Sequence, residues 1–255
     1  MWNTAIGDEA LYSTTTGTLN TAIGSRALYN NTTGSSAVAV GYTALYNLDG
    51  GERNIAVGYA ALDGFTTGGS NTGIGYAACG AVTTGTYNIG VGREANTTTT
   101  GDYNIGIGWR TIFTEKTLSN NIAMGHGAIY YPGNGGSGYN IAIGNYSMFG
   151  GSAGGAASYN TAMGYRTLYT ITTSSNNVAI GHNAGYQNVT GGQNVLVGAY
   201  AGYHQLGGGS VNIGYSAGQY VMRACRRHTT NVEKFLCALR FELMSDQVLL
   251  NSCDV

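Results

Sequence analysis

A five-residue phrase, Asn20-Thr21-Ala22-Ile23-Gly24, recurs with variations thirteen times, beginning at positions 3, 20, 37, 54, 71, 88, 104, 121, 140, 160, 177, 194 and 210. The intervals are 16 or 17 residues, except for 19 after position 121 and 20 after position 140. A fixed short period marks a solenoid, in which each repeat is one coil that buries its apolar face only by stacking on its neighbours. The repeat occupies about 85% of the chain, which makes one elongated body of residues 1–218, followed by a non-repeat tail, 219–255.

The composition excludes several other readings. Glycine contributes 43 residues but not at every third position, so the chain is not collagen. Hydrophobic residues are 43% and fall in strict register, which argues for burial and against disorder. A net charge of -1 gives no basic field for a polyphosphate, so no nucleic-acid partner is expected. No apolar run approaches the ~20 residues of a membrane helix, and the first residues lack the pattern of a secretory signal. Cys79 stands alone in the repeats while Cys225, Cys237 and Cys253 lie in the tail, a spacing unlike a disulfide framework or a zinc site.

With the Asn position of each coil numbered zero, the columns read as structure. Position +1 is Thr, Ile or Val, +3 is Ile, Val or Met, and +4 is Gly in all thirteen coils. Side chains alternate along a strand, so the β-branched +1 and +3 positions are expected to face the core. The opposite face, with Asn at zero and Ala or Gly at +2 in every coil but those of Leu196 and Asn212, is expected to be a flat strip that another backbone can approach. The glycine at +4 permits a corner, positions +5 and +6 vary like a turn, and Ala at +7 with Leu and Tyr after it predicts a second strand. Thr-Thr-Gly, as at Thr32-Thr33-Gly34, Thr66-Thr67-Gly68 and Thr83-Thr84-Gly85, closes the coil. Two strands of roughly five residues and two turns, stacked at about 4.8 Å, give an all-β parallel β-solenoid on the order of 60 Å long. Asn20, Asn54, Asn71, Asn88, Asn104, Asn121, Asn140, Asn160, Asn177 and Asn194 are expected to stack as an amide ladder, interrupted at Ala37.

Two coils carry glycine-rich insertions, 131–138 and 150–155, which solenoids place in loops on one side. In the tail, Thr230-Asn231-Val232-Glu233 fits a capping box ahead of Phe235, Leu236, Leu239, Phe241, Leu243 and Met244, predicting a short amphipathic helix over about 231–244.

These columns, Asn-[Thr/Ile/Val]-Ala-Ile-Gly-x-x-Ala, resemble the head repeats of trimeric autotransporter adhesins of the YadA-like kind. Runs similar to NTAIG-x-x-ALY-x-x-TTG also occur in bacteriophage tail-fibre proteins. The resemblance covers residues 1 to about 218 and implies a left-handed β-roll, side-by-side association of three chains, and a surface or virion-tail appendage that touches a cell surface. The coil here is longer than that of the adhesin head, with Thr-Thr-Gly as the addition. A coiled-coil stalk and a membrane anchor of alternating strands are not recognisable, so membrane insertion by this chain is not expected.

No catalytic, cofactor or metal site emerges from the spacing. Gly73-Ile74-Gly75-Tyr76-Ala77-Ala78 and Gly90-Val91-Gly92-Arg93-Glu94-Ala95 match GxGxxA but are repeat columns that open no helix. Neither Lys116 nor Lys234 completes a Walker loop, and Asp49, Asp63 and Asp102 are too few for calcium-binding turns. His126 and His182 share a column three coils apart, and Glu52, Asp63 and Glu94 are scattered among coils, so a paired-carboxylate glycosidase site is not indicated. Sequons at Asn30, Asn31, Asn96, Asn145 and Asn188 are unsurprising in a chain so rich in Asn and Thr.

Tyr42, Tyr59 and Tyr76, with Trp109 and Tyr165 later, occupy turn position +5 and form an aromatic strip fit either to stack on sugar rings or to pack at a subunit interface. The sequence therefore points to a non-enzymatic structural or adhesive fibre protein, a homotrimer or an end-to-end filament, contacting surface glycans. Rows of Thr leave an ice-binding solenoid as one alternative, and a phage polysaccharide depolymerase as another.

Overall fold

The computed structural model describes residues 2–97, 100–113, 118–130, 138–150 and 157–219. The predicted helix over 231–244, and all but the ends of the two glycine-rich insertions, lie outside the described residues. Thirteen three-residue strands, from β1 (Thr4–Ile6) and β2 (Thr21–Ile23) to β12 (Val195–Val197) and β13 (Val211–Ile213), form one parallel sheet in sequence order. Pairing keeps the columns in register, Thr4 with Thr21, Ala5 with Ala22 and Ile6 with Ile23, and likewise to Val195 with Val211. Coils of 16, 17, 19 and 20 residues all preserve this register, so extra residues are absorbed outside the strand.

Each strand is short because its ends are fixed. At +4 the glycines turn the chain at positive φ, 137° at Gly41, and a Cβ on Gly41 would lie 2.3 Å from the carbonyl oxygen of Gly58 in the next coil. No other residue satisfies both demands. Among the described residues, one strand forms per coil. The expected second strand is instead a run of turns whose backbone still bonds coil to coil, as where the Leu28 N–H donates to Ala44 O at 3.0 Å and that of Leu45 to Ala61 O at 3.0 Å. Positions +6 and +8 there adopt left-handed conformations, including Leu28 (φ 53°), Leu45 (φ 52°), Ile112 (φ 44°) and Ile129 (φ 51°). For branched side chains this conformation costs of order 1 kcal/mol or more, and it persists because neighbouring coils hold the backbone on both sides.

That second wall decides which strand face is inside. Left-handed +8 residues aim their side chains at the strand, and Leu28, Leu45, Leu62, Ile112, Ile129, Met148 and Leu168 are fully buried. The space left for the strand admits only a small group: a Cβ on Gly73 would stand 3.1 Å from Leu62 Cγ, and one on Gly90 2.4 Å from Cys79 Sγ. The +2 residues Ala22, Ala39, Ala56, Ala123, Ala142, Ala162 and Ala179 are therefore the buried ones. The expectation that +1 and +3 face the core is thus reversed. Ile55, Ile74, Ile89 and Ile107 point outward, and the small +2 strip is closed by the coil's own leucines, leaving no room there for another chain.

The asparagine column lies on the same inner face as +2. Asn71 N–H donates to Asn54 Oδ1 (3.0 Å), Asn88 N–H to Asn71 Oδ1 (2.9 Å), and the relay runs on through Asn104, Asn121, Asn140, Asn160, Asn177 and Asn194 to Ser210 N–H. Several Nδ2 groups also donate to the carbonyl that closes the same coil, as from Asn20 to Gly34 O (2.8 Å), Asn54 to Gly68 O (3.1 Å) and Asn71 to Gly85 O (2.9 Å). A buried corner leaves backbone groups without water, and this amide supplies both a donor and an acceptor to them.

Candidate functional site

The outward strand face is a continuous surface built by side chains along the rod. Within each strand, columns +1 and +3 share it, and columns −1 and +5 flank it beyond the two corners. Ile55 and Ile74 are each 40% exposed and Ile213 66%, with Val57, Met124, Met163 and Ile180 in the same two central columns. Column −1 borders one side with Leu19, Tyr87, Tyr103, Tyr139 and Tyr159, all more than half exposed, and column +5 borders the other with Tyr42, Tyr59, Tyr76, Trp109 and Tyr165. At about 4.8 Å per strand and 3.3 Å per residue, thirteen three-residue strands span about 60 by 10 Å, or about 600 Å².

The five aromatics read from the sequence lie on one column but stack on their neighbours. Tyr42 and Tyr59 have ring centres 5.2 Å apart, as do Tyr59 and Tyr76, while Arg93 covers the next face of Tyr76 at 5.2 Å. Trp109 stacks on His126 at 4.5 Å, and Tyr165 on His182 at 5.4 Å. Rings whose faces are covered along the rod present edges and hydroxyls outward. Sugar stacking needs open faces, so the column is suited to packing and to hydrogen bonding by its phenols.

Two further aromatic columns stack along the rod. Tyr87 with Tyr103 (4.9 Å) and Tyr139 with Tyr159 (5.0 Å) stack at −1. At +9, Phe113, Tyr130, Phe149, Tyr169, Tyr186 and Tyr203 make an unbroken six-ring stack at 4.7 to 5.2 Å. Their recurrence at the coil interval was the available signal.

Charge is concentrated at column +6. Arg26 Nε lies 2.7 Å from Glu9 Oε2, and Arg110 Nε 2.6 Å from Glu94 Oε2, each pair in consecutive coils. The hydrogen bond from Arg110, supported by that from Arg93, holds the Glu94 carboxyl below its usual range. Elsewhere Glu52 is 3.6 Å from Arg53, Asp102 accepts from Thr86 N–H (2.7 Å), and burial pushes the Asp63 carboxyl up. Glu52, Asp63 and Glu94 stay in separate coils, and His126 and His182 stand three coils apart. Among the described residues, no three His, Cys, Asp or Glu side chains converge in a way that could hold a metal ion.

The threonine rows are partly spent on the fold. Thr66 Oγ1 donates to Thr83 O at 3.0 Å, Thr172 Oγ1 to Val189 O at 2.7 Å, and Thr32 Oγ1 to Asp49, where the row breaks. Of the sequon asparagines, Asn31, Asn96 and Asn188 are fully buried and closed to a glycan, whereas Asn145 is exposed.

Comparison of the chain with protein families, with curated proteins and with solved structures found no match to any of the three. The architecture is a parallel β-solenoid of the broad kind used by repeat adhesins and fibres. Among the described residues no helix is long and apolar enough to cross a membrane.

Proposed function

We propose that this chain is a non-enzymatic structural and adhesive fibre module that associates side by side with copies of itself, as a trimer, and projects from a cell surface or virion tail to touch glycan-bearing surfaces. The observation that carries this reading is the outward apolar face. Single chains seldom leave apolar patches above ~300–600 Å² in water, whereas a standard interface takes ~800 Å² from each partner. The strand strip of about 600 Å² reaches the upper edge of the first class, and the aromatic columns at its borders extend the contact surface toward the second. Its residues repeat at strand spacing, so copies aligned along the rod offer one another matching ridges of Ile, Val and Met with tyrosine at the borders. The resemblance to trimeric adhesin heads and phage fibres supports the number three and the location.

Light scattering of the purified chain tests the reading. A molar mass in multiples of three of the 26.4 kDa chain is expected. A monodisperse single copy at high concentration would contradict it.

A further inference from the structure

Column +6 contains three arginines with a residue of the preceding coil beneath each. For Arg26 that residue is Glu9 and for Arg110 it is Glu94, both within hydrogen-bonding distance. For Arg166 it is Tyr146. Among the described residues, Arg26, Arg53, Arg93 and Arg110 each have a carboxylate partner, and Arg166 has none. Its guanidinium carbon lies 5.1 Å from the ring centre of Tyr165, 5.4 Å from that of Tyr169 and 5.9 Å from that of Tyr146. Its Nε is buried with no hydrogen-bond partner, and so is Oδ1 of Asn183, the next residue up the same column.

The surrounding sequence deepens this imbalance. Between Glu115 and Glu233 there is no Asp or Glu, so none of coils 8 to 13 can supply a counter-charge. Aromatic faces compensate a guanidinium only in part, and its five N–H donors match an oxyanion. The rim carries hydroxyl-bonding groups, namely the phenol of exposed Tyr165, the imidazole of exposed His182 and the amide of exposed Asn145.

We propose that Arg166, collared by Tyr146, Tyr165 and Tyr169, is an oxyanion site that takes the carboxylate or sulfate of an acidic saccharide. The guanidinium holds the charge, and the phenol, imidazole and amide groups at the rim bond the sugar hydroxyls. The proposal rests on the surface-contact half of the function above and is independent of the self-association half.

The test is calorimetric titration of the full chain at low ionic strength with four probes: an oligogalacturonate, a sulfated galactan oligosaccharide of equal length, its neutral counterpart, and sodium sulfate alone. At least one acidic oligosaccharide is expected to bind, with the carboxylate and sulfate arms identifying which oxyanion is preferred. The neutral oligosaccharide and free sulfate are expected to bind at least tenfold more weakly. Arg166→Gln is expected to lower the affinity at least tenfold. Tyr146→Glu recreates the pairing seen at Arg26 and Arg110, and is expected to do the same while keeping the arginine and the melting temperature; Arg53→Gln is expected to change nothing. Equal binding of the neutral probe, binding retained in both Arg166→Gln and Tyr146→Glu, or binding of neither acidic probe would overturn the site. So would a fall in molar mass in Arg166→Gln without saccharide binding by the parent, which would assign the site to a carboxylate of a second copy. Failure of the site with the molar mass intact leaves the self-association reading standing.

Discussion

Leu196 fills the space that Gly185 leaves: a Cβ on Gly185 would lie 2.8 Å from Leu196 Cδ1, and one on Gly202 2.6 Å from Leu196 Cδ2. In most coils +2 is small and +8 large; here a large Leu196 at +2 takes the space of the +8 glycines of its own and the preceding coil. Asn212 repeats the relation with Gly218, and its Nδ2 donates to Gln205 Oε1 at 3.1 Å. Gly185→Leu alone overpacks the core and is expected to cost about 1–3 kcal/mol. Adding Leu196→Ala to Gly185→Leu removes the Leu196 side chain that the new leucine meets, and the double variant is expected to unfold at a higher denaturant concentration than Gly185→Leu. Urea unfolding of the three proteins checks this.

The amide ladder makes a second prediction. Asn104→Ala removes the acceptor of Asn121 N–H (3.1 Å) and the donor to Leu118 O (2.6 Å) inside the core, and is expected to destabilise by about 1–3 kcal/mol. At Ala37 the column lacks its amide, and Ala37→Asn is expected to stabilise by about 1 kcal/mol by accepting from the next coil. Thermal melts of both variants should move in opposite directions.

Cys79 is fully buried at +8, and burial pushes its thiol up to about 12. The unfolded chain ionises this thiol near its ordinary value while the folded chain keeps it protonated, so above that value the unfolded state binds fewer protons and stability falls as pH rises. The contribution is full below pH ~9 and declines by about 2 kcal/mol at about pH 10.5. Cys79→Ala should show a shallower decline between about pH 9 and 11 in urea unfolding. Peptide mapping after alkylation of the native protein should find Cys79 unmodified.

Much of the fold was legible because the interval between phrases is itself the strand register. The glycine at +4 and the asparagine at zero could be assigned their corner and ladder from residue type alone. Inside and outside could not be told from the strand, since Ile and Val at +1 and +3 suit a core while Ala at +2 suits a close interface. The deciding group was the +8 leucine, whose left-handed backbone runs against its intrinsic preference and is imposed by stacking. The coupling of Leu196 to Gly185 and Gly202 was the sequence's own sign that +2 and +8 share one space. For the site, the +5 aromatics were found by column, but their face-to-face stacking depends on ring orientation, which spacing does not encode. Arg166 was hidden because its distinction is the carboxylate missing from Tyr146's position.

The account turns on the outward face being an interface. The most direct measurement is the molar mass of Ile89→Lys/Ile107→Lys, which sets two charges in the centre of that face while leaving the buried +2, +7 and +8 columns untouched. The account predicts that the parent scatters as multiples of three chains and that the variant, with an unchanged circular dichroism spectrum, falls to the 26.4 kDa of one copy. A variant that keeps the parent's assembled mass would show that the chains associate elsewhere and contradict the account.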